Sequence, residues 1–226
     1  MKLRNKIDMH RFRDEITPND DNFLEIPISD KNREDLFITP LYTFTLDIDN
    51  GPLIRECLDL RERFPNGVKK SNFGEGWQSQ VYELPTIKRT TTPAIQNLAR
   101  NAIDLTNEIL EDFGATYRVD DNQIGWWMNI NKGMGYNVHH THPGCTVIGL
   151  YYPKIPSDLN EQEGKLTLIR TDPSNHNAAF ADVANNCEWV IEPEENVFYL
   201  MPSTVAHYVT PHFSEEERIS IAFNIG

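Results

Sequence analysis

Cysteine is scarce in this sequence of 226 residues, and long apolar runs are absent from it. The three cysteines, Cys57, Cys145 and Cys187, lie far apart and form no CxxC pair. This pattern argues against a disulfide scaffold or a thiolate zinc site and favours a reducing cytoplasm. No stretch approaches the roughly 18 apolar residues of a membrane span, and no apolar signal segment follows the basic start. We therefore expect a cytoplasmic protein without a membrane partner.

Basic residues are also few compared with acidic ones. The chain has 21 lysines and arginines against 34 aspartates and glutamates, a formal net charge of −13 at pH 7. Such a surface repels nucleic-acid phosphates, so we expect no nucleic-acid partner. A small anionic co-substrate is still compatible with this charge, because a buried arginine acts locally.

The order of apolar patterns predicts one domain over residues 36–226, preceded by a polar extension over residues 1–35. A helix is predicted to begin near Pro52, and a second, capped by Thr92, to run from Pro93 to about Phe113. From Tyr117 onward the apolar period becomes strand-like. Turn residues then separate eight predicted strands, at 124–131, 137–141, 146–153, 165–170, 187–192, 196–201, 206–210 and 217–225. This order predicts an α+β, mainly β protein, in which helices buttress a sandwich or barrel.

Four histidines lie in the strand-rich half. Residues i and i+2 of a strand point to the same face, so His140 and His142 project together and His139 points away. His207, on a strand near the end of the sequence, could supply a third ligand to one metal ion. The alternative is a set of core histidines, but unpaired imidazoles at the end of a buried strand would be costly.

Arg218 begins the apolar strand RISIAFNI, where Arg218 and Ser220 share one face and Ile219 and Ile221 the other. A guanidinium on the inner face of a barrel needs an anion, and its planar fork matches a carboxylate. The alternative is that Arg218 pairs with the acidic residues at 215–217.

Together these segments resemble the Fe(II)/2-oxoglutarate-dependent oxygenase superfamily, in its bacterial and phage branch related to prolyl hydroxylases. The resemblance covers residues 36–226 and rests on segments that occur in this order: FITPLY (37–42), SNFGEGWQS (71–79), HTHPGCTVIGLYYPKIP (140–156), GKLTLIRTDP (164–173), FYLMPSTVAHYVTP (198–211) and RISIAFNIG (218–226). It implies a double-stranded β-helix, also described as a jelly roll or cupin-like fold. If a phage encodes the protein, the expected location is the host cytoplasm.

The resemblance implies that His140 is the first metal ligand and His207 the distal histidine. It implies that Arg218 and Ser220 bind the far carboxylate of 2-oxoglutarate. His142 stands where the superfamily has a carboxylate ligand. Either the site has three histidines, or an outside carboxylate such as Asp172 completes it; the alternative for Asp172 is that it caps its own turn. Three neutral imidazoles would leave the metal with a charge of +2 and weaken discrimination against Zn(II).

The implied activity is hydroxylation of an unidentified substrate, a protein side chain such as proline or a small molecule, with Fe(II), 2-oxoglutarate and O2. Asn129, Asn131 and Tyr151 or Tyr152 are candidate contacts to co-substrate or substrate. Packing is the alternative for the tyrosines, and a turn role for Asn131. Trp77, Trp126 and Trp127 would line an aromatic mouth or, alternatively, pack in the core. Two other functions stay open: a three-histidine, cupin-like metalloenzyme without 2-oxoglutarate, and a non-catalytic metal-binding module. The sequence leaves the oligomeric state open.

Overall fold

A computed structural model describes residues 39–84, 93–170 and 188–226. The predicted extension over residues 1–35, the helix cap Thr92 and the alternative ligand Asp172 all lie outside these ranges. Thr39–Gly226 forms one compact unit. Among the described residues, no helix is both long enough and apolar enough to cross a membrane.

Two helices precede the long strands: α1 spans Asn50–Arg63 and α2 spans Pro93–Asp112. The side chain of Asp49 caps α1 by accepting a hydrogen bond from the backbone N–H of Gly51 over 2.9 Å. The first turn of α2 is bonded by the other helix, because the carboxylate of Glu56 accepts the backbone N–H groups of Ala94 and Ile95. This pair of bonds fixes the two helices to each other.

The eight predicted strands are present, and each of their ends lies within one residue of the prediction. In chain order the strands are β1 (Tyr42–Thr45), β2 (Asn72–Phe73), β3 (Trp77–Gln78), β4 (Tyr82–Glu83), β5 (Ile124–Asn131), β6 (Tyr136–His140), β7 (Val147–Lys154), β8 (Leu166–Ile169), β9 (Glu188–Ile191), β10 (Val197–Pro202), β11 (Ala206–Val209) and β12 (Arg218–Ile225).

The strands form two antiparallel sheets. The major sheet has the order β1-β10-β7-β12-β5-β3, with β4 also paired to β5, and the minor sheet has the order β2-β6-β11-β8-β9. Consecutive strands from β5 to β12 mostly alternate between the sheets, which is the connectivity of a double-stranded β-helix. The predicted mainly β fold with supporting helices is confirmed.

Alternation along β12 shows how the sheets are packed. Ile219, Ile221 and Phe223 are fully buried in one apolar cluster with the helices α1 and α2, whereas Ala222 belongs to a second cluster between the two sheets. The face that carries Arg218 and Ser220 is therefore the inner face of the barrel. The helices cover the other face, so the barrel interior is where the candidate site residues converge.

Candidate metal centre

His140, His142 and His207 come together as the sequence predicts. His140 at the end of β6 lies directly opposite His207 at the start of β11. His142 lies two residues beyond the end of β6, where its backbone N–H donates to the carbonyl of Ser203 over 3.2 Å. One ring nitrogen from each histidine lies within 4.8 Å of the others, a spacing that allows one metal ion to bind all three.

Hydrogen bonds fix which nitrogen of each ring is available. The Nδ1 atoms of His140 and His207 face the backbone oxygens of Val138 and Val205 at 2.7 Å and 3.0 Å. The Nδ1 atom of His142 faces the side-chain oxygen of Asn224 at 2.7 Å. Because an oxygen acceptor requires a proton on Nδ1, each Nε2 keeps a free lone pair, as in most metal-binding histidines. The Nε2 atom of His142 is buried without a hydrogen-bond partner, so this donor set fits a divalent metal ion such as Fe(II).

Burial keeps these imidazoles neutral. Desolvation lowers the pKa of His207 to about 3 and that of His142 to about 4, the latter against the raising effect of the hydrogen bond that His142 donates to the side-chain oxygen of Asn224. Desolvation also lowers the pKa of His140. Only a neutral imidazole can donate its lone pair to a metal. The three rings are therefore in the ligating form at neutral pH.

Asn224 is a site residue that sequence reasoning missed. It lies on the inner face of β12, in the same alternation as Arg218 and Ser220, and that alternation was the available signal. The ring of His142 also stacks against Trp127, at 5.5 Å between centroids, and against His207, at 5.1 Å. His142 is thus held by a hydrogen bond to an amide and by contacts with two rings.

The three tryptophans do not form one mouth. Trp77 and Trp126 belong to the apolar cluster on the helix side, which supports the core-packing interpretation for both. Trp127 points into the barrel instead and stacks on His142. The difference follows from strand alternation between neighbouring residues.

Arg218 is buried inside the barrel, and no carboxylate of the described residues pairs with it. Only 1% of it is exposed, and its Nε and Nη2 atoms have no hydrogen-bond partner. The alternative pairing with residues 215–217 does not form: Glu215 pairs with Lys132, Glu217 pairs with Arg61, and the carboxylate of Glu216 accepts hydrogen bonds from Ser157. A buried guanidinium cannot lose its charge, so this position demands a bound anion.

The polar side chains around Arg218 face the same interior. Asn131 lies directly opposite Arg218, and Asn129 lies opposite Ser220. Both asparagines are buried and each has a side-chain oxygen without a partner. Asn131 belongs to β5 and donates its amide to Asn137 over 3.1 Å, so the structure gives it a wall position and not a turn role.

Tyr151 is a candidate that the structure does not bring to the site. Its ring packs on the helix side, and its hydroxyl donates to the side-chain oxygen of Asn50 over 2.7 Å. Burial raises the pKa of Tyr151 to about 12. The next residue, Tyr152, points inward instead, and the Arg218 guanidinium lies 4.7 Å from the centre of its ring. Tyr152 thus takes the place expected for Tyr151.

Comparisons with known proteins identify one similar family and similar folds. The family model described as "Putative 2OG-Fe(II) oxygenase" matches residues 125–224. A prolyl-4-hydroxylase from Pseudomonas putida has a similar structure, with a TM-score of 0.58 at 14% identity over 83% of this chain and 92% of that one. A prolyl hydroxylase from Trichoplax adhaerens, solved with a peptide fragment of hypoxia inducible factor, has a TM-score of 0.57 at 15% identity over 82% of each chain. No curated protein is similar in sequence. The structural similarities show a shared double-stranded β-helix.

Proposed function

We propose that this chain, whose residues 125–224 match a family model of 2OG-Fe(II) oxygenases, hydroxylates an amino-acid side chain, such as proline, within a peptide. Enzymes of this class use Fe(II), 2-oxoglutarate and O2. When bound, these groups supply the oxidative decarboxylation that gives succinate and CO2 and transfers one oxygen atom to a substrate C–H bond. The protein supplies binding, orientation and exclusion of water.

The proposal assigns Fe(II) to the Nε2 atoms of His140, His142 and His207. Their neutral state and the fixed Nδ1 hydrogen bonds support this assignment. A site with three protein ligands leaves coordination positions open for co-substrate and O2. His142 takes the place of the family's carboxylate, and the uncharged Asn224 behind it adds no negative charge, so the site binds its metal with three neutral ligands.

The single observation that supports 2-oxoglutarate most directly is that the Nε and Nη2 atoms of the buried Arg218 guanidinium have no hydrogen-bond partner among the described residues. We assign the far carboxylate of 2-oxoglutarate to Arg218, with the hydroxyls of Ser220 and Tyr152 as further donors. A planar guanidinium binds a carboxylate through two parallel hydrogen bonds, which fixes the orientation of the co-substrate as well as its affinity. The asparagines at 129 and 131 line the adjoining wall.

The test is anaerobic reconstitution with Fe(II) followed by titration with 2-oxoglutarate, recorded as the visible charge-transfer absorption of the complex. We expect an absorption band and, on admission of air, succinate. An Arg218→Met variant should lose both while retaining Fe(II). An enzyme that needs no 2-oxoglutarate would give neither signal in the wild type, and a purely structural metal site would bind Zn(II), ignore Fe(II) and unfold on chelation.

A peptide substrate is supported by the fold shared with two prolyl hydroxylases, one of them solved with a peptide. We expect a proline-containing peptide pool incubated with enzyme, Fe(II), 2-oxoglutarate and air to gain single oxygen atoms, detected by mass spectrometry. Modification of small molecules alone would contradict the peptide assignment but not the reaction. A cytoplasmic location and the lack of a nucleic-acid partner remain predictions from cysteine usage and net charge.

A further inference from the structure

We propose that Gln78 is a further binding residue for 2-oxoglutarate, donating an amide hydrogen bond to one of its oxygens. The inference rests on the proposed function, since it concerns the same pocket. Gln78 lies in the SNFGEGWQS segment (71–79), next to the core residue Trp77.

The strand register places Gln78 on the inner wall of the barrel. Gln78 lies opposite Asn129 on β5, and Asn129 lies opposite Ser220 on β12. Residues directly opposite each other in a sheet share a face. The neighbouring pair, Trp77 and Ile130, belongs to the cluster on the helix side, so Gln78, Asn129 and Ser220 form one row that faces the interior.

The row is compact. Neighbouring strands lie about 4.8 Å apart, so the backbone of Gln78 is about 10 Å from that of Ser220. Arg218 lies on the same face of β12 as Ser220, one inward-facing position away. An anion bound by Arg218 and Ser220 therefore lies beside the amides of Asn129 and Gln78.

The segment around Gln78 is fixed from outside the pocket. The backbone carbonyl of Gln78 accepts a hydrogen bond from Val68 over 2.8 Å, and the indole of Trp77 donates to the carbonyl of Phe64 over 2.9 Å. The side chain of Asn72 donates to the carbonyl of Gly76 over 3.1 Å. These bonds hold a strand of only two residues in register, so little freedom remains for Gln78 to lose when a ligand binds.

Gly76 explains how the segment comes so close to the wall. A Cβ atom at this position would lie 2.9 Å from the side-chain oxygen of Asn131, too close for two non-bonded atoms. The glycine thus lets the segment pack directly against the residue that lies opposite Arg218.

The side-chain oxygen of Gln78 lacks a hydrogen-bond partner among the described residues. Gln78 is 3% exposed, and its Oε1 atom has no hydrogen bond among the described residues. Asn129 shares this property, although the two side chains are neighbours in the row. Buried side-chain amides are nearly always paired, and an unpaired one indicates a missing ligand or water. Because a glutamine amide can turn by 180°, this position can present its N–H2 group to a carboxylate or keto oxygen.

The experiment compares three variants by calorimetric titration of 2-oxoglutarate into anaerobic, Fe(II)-loaded protein. Gln78→Met keeps the length of the side chain and removes its hydrogen bonds. Gln78→Glu keeps the length and adds a negative charge beside a dianion. Gln80→Met, at an exposed position in the same segment, is the matched control.

We expect Gln78→Met to raise the Kd for 2-oxoglutarate by about tenfold to a hundredfold, the effect of one hydrogen bond to a charged group. Gln78→Glu should raise it further, and Gln80→Met should leave it unchanged. Fe(II) affinity should stay within about twofold of wild type in all three. In substrate-uncoupled succinate formation, KM for 2-oxoglutarate should rise more than kcat falls.

An unchanged Kd in folded Gln78→Met would overturn the inference while leaving the proposed function intact, provided that Arg218→Met abolishes binding. The inference would also be overturned if Gln78→Met raised the Kd for a peptide substrate but not the Kd for 2-oxoglutarate, because the amide would then bind the peptide. If neither Gln78 variant folds, the side-chain amide resonance of Gln78 in Zn(II)-loaded wild type decides, since it must shift when 2-oxoglutarate is added. Absence of 2-oxoglutarate binding to wild type would instead overturn the proposed function.

Discussion

The Nδ1 atom of His142 donates a hydrogen bond to the side-chain oxygen of Asn224 over 2.7 Å, although the two residues are 82 positions apart in the chain. The bond joins the loop after β6 to the inner face of β12. It gives a neutral residue pair at the position where the resemblance to 2-oxoglutarate-dependent oxygenases implies a carboxylate ligand. The orientation of the third metal ligand therefore depends on one amide.

Removing that amide should weaken metal binding. We expect Asn224→Ala to lower Fe(II) affinity by about 10- to 100-fold, because the imidazole of His142 loses the acceptor that fixes its tautomer and orientation. The measurement is a competitive titration against a chromogenic chelator under anaerobic conditions.

Asn122→Ala, at an exposed turn position, is the matched control and should bind Fe(II) like wild type. Asn224→Asp keeps an oxygen acceptor and should retain most of the affinity. Equal affinities for wild type and Asn224→Ala would show that the stacked rings of Trp127 and His207 hold His142 without help.

Removing the buried charge of Arg218 should separate ligand binding from stability. Arg218→Met should abolish the rise in Tm that 2-oxoglutarate produces in wild type, since that rise measures preferential binding to the folded state. Without ligand, the variant should be as stable as wild type or more stable, because a buried unpaired guanidinium is replaced by an apolar side chain.

Thermal unfolding with and without 2-oxoglutarate measures both effects. Arg118→Met, which removes a guanidinium from a side chain that is 67% exposed, should keep the full ligand-induced rise. A rise that persists in Arg218→Met would place the carboxylate elsewhere.

The adjacent tyrosines provide a matched pair. Tyr152→Phe should raise the Kd for 2-oxoglutarate, because it removes the hydroxyl that is assigned as a donor to the far carboxylate, beside Arg218. Tyr151→Phe should leave the Kd unchanged and reduce the free energy of unfolding by about 1 kcal/mol, because its hydroxyl bonds Asn50 on the helix side. Calorimetric titration and urea denaturation together give both values, and an effect of Tyr151→Phe on the Kd would contradict the assignment.

The stability of the metal-free protein should fall as the pH decreases. Burial lowers the pKa of His142 to about 4 and that of His207 to about 3, below the value of 6.5 for a free imidazole. Between pH 6.5 and 4 the unfolded chain binds protons that the folded protein excludes, so acid favours unfolding. The contribution is fully present above pH 6.5. We expect each of these two imidazoles to lower the free energy of unfolding by about 2 kcal/mol from pH 7 to pH 5.

Urea denaturation of metal-free protein across this range provides the measurement. His207→Gln should flatten the dependence because it removes one of the two buried imidazoles. His139→Gln changes an exposed side chain and should leave the slope as it is. If the free energy of unfolding depended on pH equally in His207→Gln and wild type, His207 would take up its proton without unfolding of the protein.

Much of the fold could be predicted because turn residues and strict alternation mark the strands from β5 to β12 so clearly. The short strands β2, β3 and β4 could not be predicted as strands, since two residues carry no period; their pairing with β6 and β5 defines them. Tertiary structure also decides how α2 begins, because the carboxylate of Glu56 on α1 bonds its first turn. No local sequence signal reports such a contact.

In the site, spacing was sufficient to predict that His140 and His142 lie together and that Arg218 faces the barrel interior, because alternation along a strand restricts where a side chain can lie. Tyr151 failed as a candidate because two consecutive tyrosines fit either face of β7 equally well. Only the packing of the helices against one face shows which tyrosine points inward. Gln78 could not be predicted as a site residue either, since only the pairing of β3 with β5 shows that its side chain faces the barrel interior.

The position of Asn224 has a mechanical consequence. His140 and His207 belong to the minor sheet, whereas the partner of His142 belongs to the last strand of the major sheet. A metal bound to all three histidines therefore connects the two sheets, through the hydrogen bond between His142 and Asn224. Metal loading should slow amide hydrogen exchange in β11 and in the second half of β12 together, because neither sheet can then open without the other.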